Sequence, residues 1–236
     1  VLNNEFEDTS FCPSGLDQLN AATGWRSYAG TADYFHTCSF SMFSRVPSNF
    51  FGYQQPSSGK AYASFYAYYT GGNPNYREFV GSLLAAPLVS GTKYFISFKV
   101  ALANAHDYSR SCNNLCIKFT NWDYWYSWPA PVNNWAHVYS PLVVSDTLNW
   151  TRISGSFTAD SNYTRVMVGN FFDDASTTSV GDPTQYGAYF YLDDICVSTD
   201  SAFCANYMGV PEMEASFDVS VFPNPFSTQT LFTSTA

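Results

Sequence analysis

Cations are scarce in this chain: ten Lys and Arg stand against nineteen Asp and Glu, giving a formal net charge of −9. Nucleic acids and anionic membrane surfaces attract basic patches, so this balance argues against both as partners. There is no apolar run of roughly eighteen residues or more, which argues against membrane insertion by a helix. Helical periodicity is missing as well. No window of about eleven residues keeps apolar positions at i, i+3, i+4 and i+7, and the helix formers Glu and Lys are few. Catalytic signatures are equally sparse. The chain has neither Gly-x-Ser-x-Gly nor His-Glu-x-x-His. His106-Asp107 with Ser109 is adjacent in sequence, whereas a triad must meet in space. The pair Asp173-Asp174 reads as loop residues. The chain is therefore expected not to be an enzyme. Val1 opens directly on polar and acidic sequence without a secretion signal, as expected of the mature form of an exported protein.

What the sequence does hold is aromatic residues, at 19% of the chain against 12% charged, enough for a large core under a surface of Ser, Thr, Asn and Tyr. At 236 residues, one domain with a tail is expected: a domain over 1–205, a linker over 206–216 and a further piece over 217–236. Apolar and polar positions alternate in Lys60–Tyr69, with Ala61, Ala63, Phe65 and Ala67 on one face and Tyr62, Ser64, Tyr66 and Tyr68 on the other. Tyr94–Leu102 alternates too, with Tyr94, Ile96, Phe98, Val100 and Leu102 inward. Further strands are expected near 75–80, 115–120, 149–158, 163–172 and 186–197, separated by Gly, Pro and Asn turns. Many short strands without helices predict an all-β sandwich or jelly roll.

Six cysteines without metal-ligand spacing point to an oxidising compartment and to disulfides. Sequence proximity favours three local bridges: Cys12 with Cys38, Cys112 with Cys116, and Cys196 with Cys204. The 186–197 strand carries adjacent carboxylates, Asp193 and Asp194, which on a regular strand point to opposite faces. At least one must then point inward, where it needs a cation, an arginine or backbone donors. The opening segment Asn3–Asp8 is also acidic, which suggests that the two ends share a cation.

Several segments, taken in order, resemble a known family. The opening Val1–Glu7 and the closing Tyr189–Ile195 are similar to the bookends of galactose-binding-like jelly rolls, among them carbohydrate-binding modules of families four and twenty-two. Between them lie Thr23-Gly-Trp25, Gln54–Ala63, Asn75–Phe79, Pro87–Tyr94, Trp150–Phe157 and Val168–Phe171. The set looks like a jelly-roll domain common on secreted proteins of the Bacteroidetes. Val221-Phe-Pro-Asn-Pro-Phe226 resembles the start of a type IX secretion sorting domain, here truncated, which implies export to the cell surface or beyond. The resemblance also implies a structural calcium ion on Glu7 and Asp193, with carbonyls of Ser57 and Lys60 assisting.

Sugars stack their C–H faces on flat aromatic rings and use a few polar anchors. Tyr62, Tyr66 and Tyr68 form one candidate platform, and Trp122, Trp125 and Trp128 of the 121–135 loop form another. Arg77, Glu78, Gln54 and Asn170 are candidate anchors. On the bland reading, the tyrosines pack under loops and the tryptophans plug the sandwich edge. A glycan-binding or adhesive module is the leading expectation. The rival is a subunit of a surface fibre or filament that binds copies of itself or other surface proteins, because interface cores favour aromatics over charge.

Overall fold

The computed structural model describes residues 1–125 and 130–206 throughout, and beyond them the backbone of Val219–Phe222 and Leu231–Ser234. Two five-stranded antiparallel sheets face each other. The first runs β1 (Trp25–Ala29), β6 (Phe79–Leu83), β12 (Arg165–Gly169), β9 (Cys116–Thr120) and β10 (Val138–Tyr139). The second runs β11 (Thr151–Thr158), β7 (Lys93–Leu102), β14 (Gly187–Ser198), β5 (Ala61–Tyr69) and β2 (Asp33–His36). Short ribbons pair β3 (Ser48–Asn49) with β4 (Gly52–Tyr53) and β8 (Ser111–Cys112) with β13 (Ser179–Val180). A separate ribbon pairs β15 (Val219–Phe222) with β16 (Leu231–Ser234), inside the segment expected to begin a sorting domain. Most of the linker, and the Pro223-Asn-Pro225 motif itself, lie outside the described residues.

Alternation in β5 and β7 does what the sequence predicts. Ala61, Ala63, Phe65 and Ala67 meet Ile96, Phe98, Val100 and Leu102 in the core between the sheets. Small side chains on β5 leave room for the Phe98 and Phe190 rings, which are fully buried. Each ring of that size contributes roughly 1.5–3 kcal/mol by leaving water. The pattern of β14 is blurred for a structural reason: it is the central strand, paired with β5 and β7, and it is buried from Gly187 to Cys196.

The only α-helix among the described residues is α1 (Ser201–Ala205), a single turn. Asp200 caps it by accepting a hydrogen bond from the Ala202 N–H, and the Cys196–Cys204 bridge closes it against β14. Cys12–Cys38 is the second bridge, with Cα atoms 5.8 Å apart. The third expected bridge is absent. Cys112 and Cys116 are free thiols because the turn between them sends their side chains to different sides of the sheet. Cys112 packs in the core between the sheets, and Cys116 packs in a smaller cluster on the outer face of the first sheet. Burial pushes both thiols up to about 12, so neither is a ready nucleophile.

Candidate functional site

Three places could carry function: the acidic clamp at the end of β14 and the outer faces of the two sheets. The clamp departs from the regular-strand expectation. A bulge interrupts β14 between Asp193 and Cys196, and Asp194 has a left-handed φ of 53°. Both carboxylates therefore converge on the turn at 57–58 instead of pointing to opposite faces. Asp193 Oδ2 accepts from the Ser57 and Ser58 N–H groups at 3.0 and 3.3 Å. Asp194 accepts from both serine hydroxyls, at 2.6 and 2.7 Å, and from Lys99 Nζ at 2.7 Å.

Glu7 reaches the same turn from the other end of the domain, accepting from the Lys60 and Ala61 N–H groups at 2.8 and 3.0 Å. Gly59 sits at a left-handed φ of 60°, and a Cβ there would collide with the Glu7 carboxylate, so this cradle needs glycine. Burial, and then the Asp194 charge beside it, pushes the Asp193 carboxyl well above the usual carboxylate range. Burial raises Glu7 as well. Glu7 and Asp193 thus meet one turn, each accepting from its backbone N–H groups. Ser57 and Lys60 meet them through N–H groups. Among the described residues no group of three or more His, Cys, Asp and Glu side chains is gathered around a metal position. A calcium ion here would need most of its roughly six to eight oxygens from carbonyls of the turn.

The outer face of the second sheet holds the tyrosines. It is covered. Residues 37–56 fold over it, and the Phe51 ring stacks on Tyr189 with centroids 3.6 Å apart and planes 13° apart. Tyr62 is fully buried, donating from its hydroxyl to Gln54 O at 3.0 Å and accepting from Asn49 Nδ2 at 3.0 Å. Tyr66 packs edge-on to Phe51 and Tyr189. Tyr68 does not share that face: beyond the irregularity between Ala188 and Tyr189 it packs against the core between the sheets, under the Arg77 guanidinium, whose carbon is 5.1 Å from the ring centroid.

Arg77 is itself fully buried. It pairs with Asp174 at 2.9 Å and donates to Tyr76 O and Phe172 O. It ties loops together and is not exposed to a ligand. Glu78, Gln54 and Asn170 are buried too. Beneath this face Asp33 accepts from the Tyr189 hydroxyl, and burial followed by the nearby Glu78 charge lifts its carboxyl to about 7. The His106–Asp107 pair is exposed at 3.1 Å, and Ser109 Oγ turns to His106 O, so no triad forms.

The outer face of the first sheet differs. Tyr28, Phe79, Met167 and Phe171 form its floor, and Tyr124, Ala130, Val132 and Ala136 pack against it. Gly81 on β6 makes room for the floor: a Cβ there would strike the Tyr28 ring. Trp122 and Trp125 stand in solvent, 75% and 62% exposed; Trp135 is open by Lys118 on β9, and Tyr139 is open on β10, the edge strand opposite β1. Trp128 lies outside the described residues.

A cleft of about 430 Å³ is lined by Trp25, Arg26, Tyr28, Asp123 and Arg165, among others. The Arg26 guanidinium lies 5.4 Å from the Tyr28 centroid and 5.6 Å from that of Trp125. Lys118 Nζ sits similarly over Trp135 and Phe171, at 5.2 and 5.0 Å. Flat rings held by cations, over a firm floor, can take the apolar face of a sugar. Sequence reasoning named Trp122 and Trp125 but missed Arg26, Asp123 and Arg165, which meet only through the β1–β6–β12 order. A larger groove of about 490 Å³ lies along residues 139–146 and Thr151–Ser154, but it is walled mainly by Pro141, Leu142 and Val143 and has one aromatic, Tyr139.

No family model matches the chain, and no curated protein does. Among solved structures, the chain is similar to the CBM22-1 xylan-binding domain of Paenibacillus barcinonensis Xyn10C, with 12% identity and a TM-score of 0.42, covering 82% of this chain and 90% of that one. It is also similar to the K1 cleaved adhesin domain of Lys-gingipain from Porphyromonas gingivalis W83, with 11% identity, a TM-score of 0.40 and coverage of 83% and 96%. The third is TmCBM61, solved with β-1,4-galactotriose, with 13% identity, a TM-score of 0.36 and coverage of 85% and 97%. Likenesses of this strength carry no argument about ligand or activity, which rest on the residues described above.

Proposed function

We propose that this chain is a non-catalytic, exported jelly-roll module that binds carbohydrate through the outer face of its first sheet. The observation that carries the reading is the set of exposed tryptophans, Trp122 and Trp125 with Arg26 of the arginine cleft against Trp125, and Trp135 over Lys118, on a sheet whose outer face has a packed aromatic floor. Large exposed aromatics in one region mark interaction sites more often than they mark plain surface. Two disulfides support an oxidising, extracellular setting. The Val221–Phe226 motif supports export by type IX secretion. Glycan-array screening of the chain, followed by titration of Trp122→Ala and Trp125→Ala, tests the binding face. Each substitution is expected to weaken binding about tenfold, since a stacked ring contributes roughly 0.5–1.5 kcal/mol beyond its buried area. Unchanged affinity in both variants would move the site elsewhere.

A second reading, adhesion through self-association, has its own observation. The covering segment of the other sheet exposes Phe40 completely, and Met42, Phe43, Phe50 and Tyr53 are also open. Sedimentation across a concentration series tests it, and a monomer throughout would remove it. The acidic clamp supports a separate proposal, a structural calcium ion between Glu7 and Asp193 with carbonyls of Ser57 and Lys60. Chelation should then lower the melting temperature, and an unchanged value would remove the ion.

A further inference from the structure

Ten cations serve the whole chain, yet Arg26 and Arg165 converge on one cleft. They come from β1 and β12, with β6 between them, and both meet the same oxygen, Asp123 Oδ2, the Arg165 contact at 3.2 Å. One carboxylate against two guanidiniums leaves a surplus positive charge, and the cleft lining holds no other acid. In a chain of net charge −9 this local excess runs against the overall field. Both heads are reachable from solvent, with side chains 29% and 19% exposed.

Their geometry is also fixed in advance. Arg26 is held near the Tyr28 and Trp125 rings, and Arg165 Nη1 donates to the Tyr28 hydroxyl at 3.3 Å. A guanidinium already held in place loses little freedom when a partner arrives, and its planar fork matches a two-oxygen anion. A structural ion pair for Asp123 would need only one arginine. The second is left with charge that Asp123 cannot neutralise.

We propose that this cleft recognises an anionic sugar, a uronic acid whose carboxylate is taken by Arg26 and Arg165 while its ring lies against Trp125. This rests on the carbohydrate-binding reading and narrows it to acidic glycans. The test is titration of the chain with four polymers at low and high salt: polygalacturonate, its fully methyl-esterified form, a neutral xylan and κ-carrageenan, a sulfated galactan that has no carboxylate. The free acid should bind at least about tenfold more tightly than the ester, with the gap shrinking in high salt because exposed charges are screened. Arg26→Gln or Arg165→Gln should erase the gap, bringing binding of the acid down to the level of the ester measured on the same variant. Asp123→Asn removes the competing carboxylate and should strengthen binding of the acid. Melting midpoints recorded for each variant separate lost folding from lost recognition.

Preference for the carrageenan would keep the anion site and assign it to a sulfate ester, overturning the uronic acid. Equal affinity for acid and ester would overturn the inference and leave carbohydrate binding standing. An Asp123→Asn variant as weak as Arg26→Gln would also overturn it, making the three side chains a purely structural cluster. Failure to bind any of the four polymers would sink the carbohydrate reading and the anion site together.

Discussion

The two outer sheet faces begin from the same material and end differently. Each carries several aromatic rings. On the second sheet, residues 37–56 press Phe51 onto Tyr189 and satisfy the Tyr62 and Tyr191 hydroxyls through Gln54 and Asn49. On the first, Tyr124, Ala130, Val132 and Ala136 pack on the floor, and Trp122, Trp125 and Trp135 are exposed. Hydroxyls explain part of the contrast. A buried tyrosine needs a hydrogen-bond partner, and the 37–56 segment brings amide side chains and carbonyls to that work. The covered face therefore acts as core, and the tryptophans of the other face stay in solvent.

The largest expected effect on this contrast comes from Phe51→Ala. Removing a buried ring that stacks on Tyr189 should cost about 3–5 kcal/mol in chemical denaturation while glycan affinity, measured below the transition, stays within twofold or so. An equal loss of affinity would show that the faces are not independent. Next comes pH. Asp33 has a folded value of about 7, above its unfolded value of 3.8, so it holds a proton in the native state that the unfolded chain releases. Its contribution is full below the unfolded value, falls as pH rises and is lost as pH passes through about 7. Buried Glu78, also raised, acts in the same direction. Stability measured from pH 4 to pH 8 should decline on that side, and Asp33→Asn should flatten the slope; an unchanged slope would count against the assignment.

The smallest effect belongs to the open face. Trp122→Ala should change stability by no more than about 0.5 kcal/mol, as expected for an exposed side chain, although it weakens sugar binding. A large drop in melting temperature would instead make that tryptophan a plug over the sandwich edge.

Much of the architecture was legible because it follows from local periodicity. The inward rows of β5 and β7 follow from period-two alternation, and both bridges, Cys12–Cys38 and Cys196–Cys204, join cysteines close in sequence. The same proximity rule fails for Cys112 and Cys116 because strand geometry sends them to different sides of the sheet. It fails in kind for Asp193 and Asp194: alternation assumes a regular strand, and the bulge with its left-handed Asp194 cancels that assumption. Arg77 looked like a ligand anchor because cations are usually exposed, yet Asp174 and two carbonyls compensate it inside the protein.

The sequence by itself determined an all-β sandwich, rich in aromatics and poor in charge. Those are consequences of composition and of residue spacing along a strand. Tertiary structure decided which aromatic face is closed and which is open, because covering depends on where a distant loop lands. It also decided that Arg26 and Arg165 share Asp123: their 139-residue separation in sequence is closed only by sheet order, which no local pattern encodes.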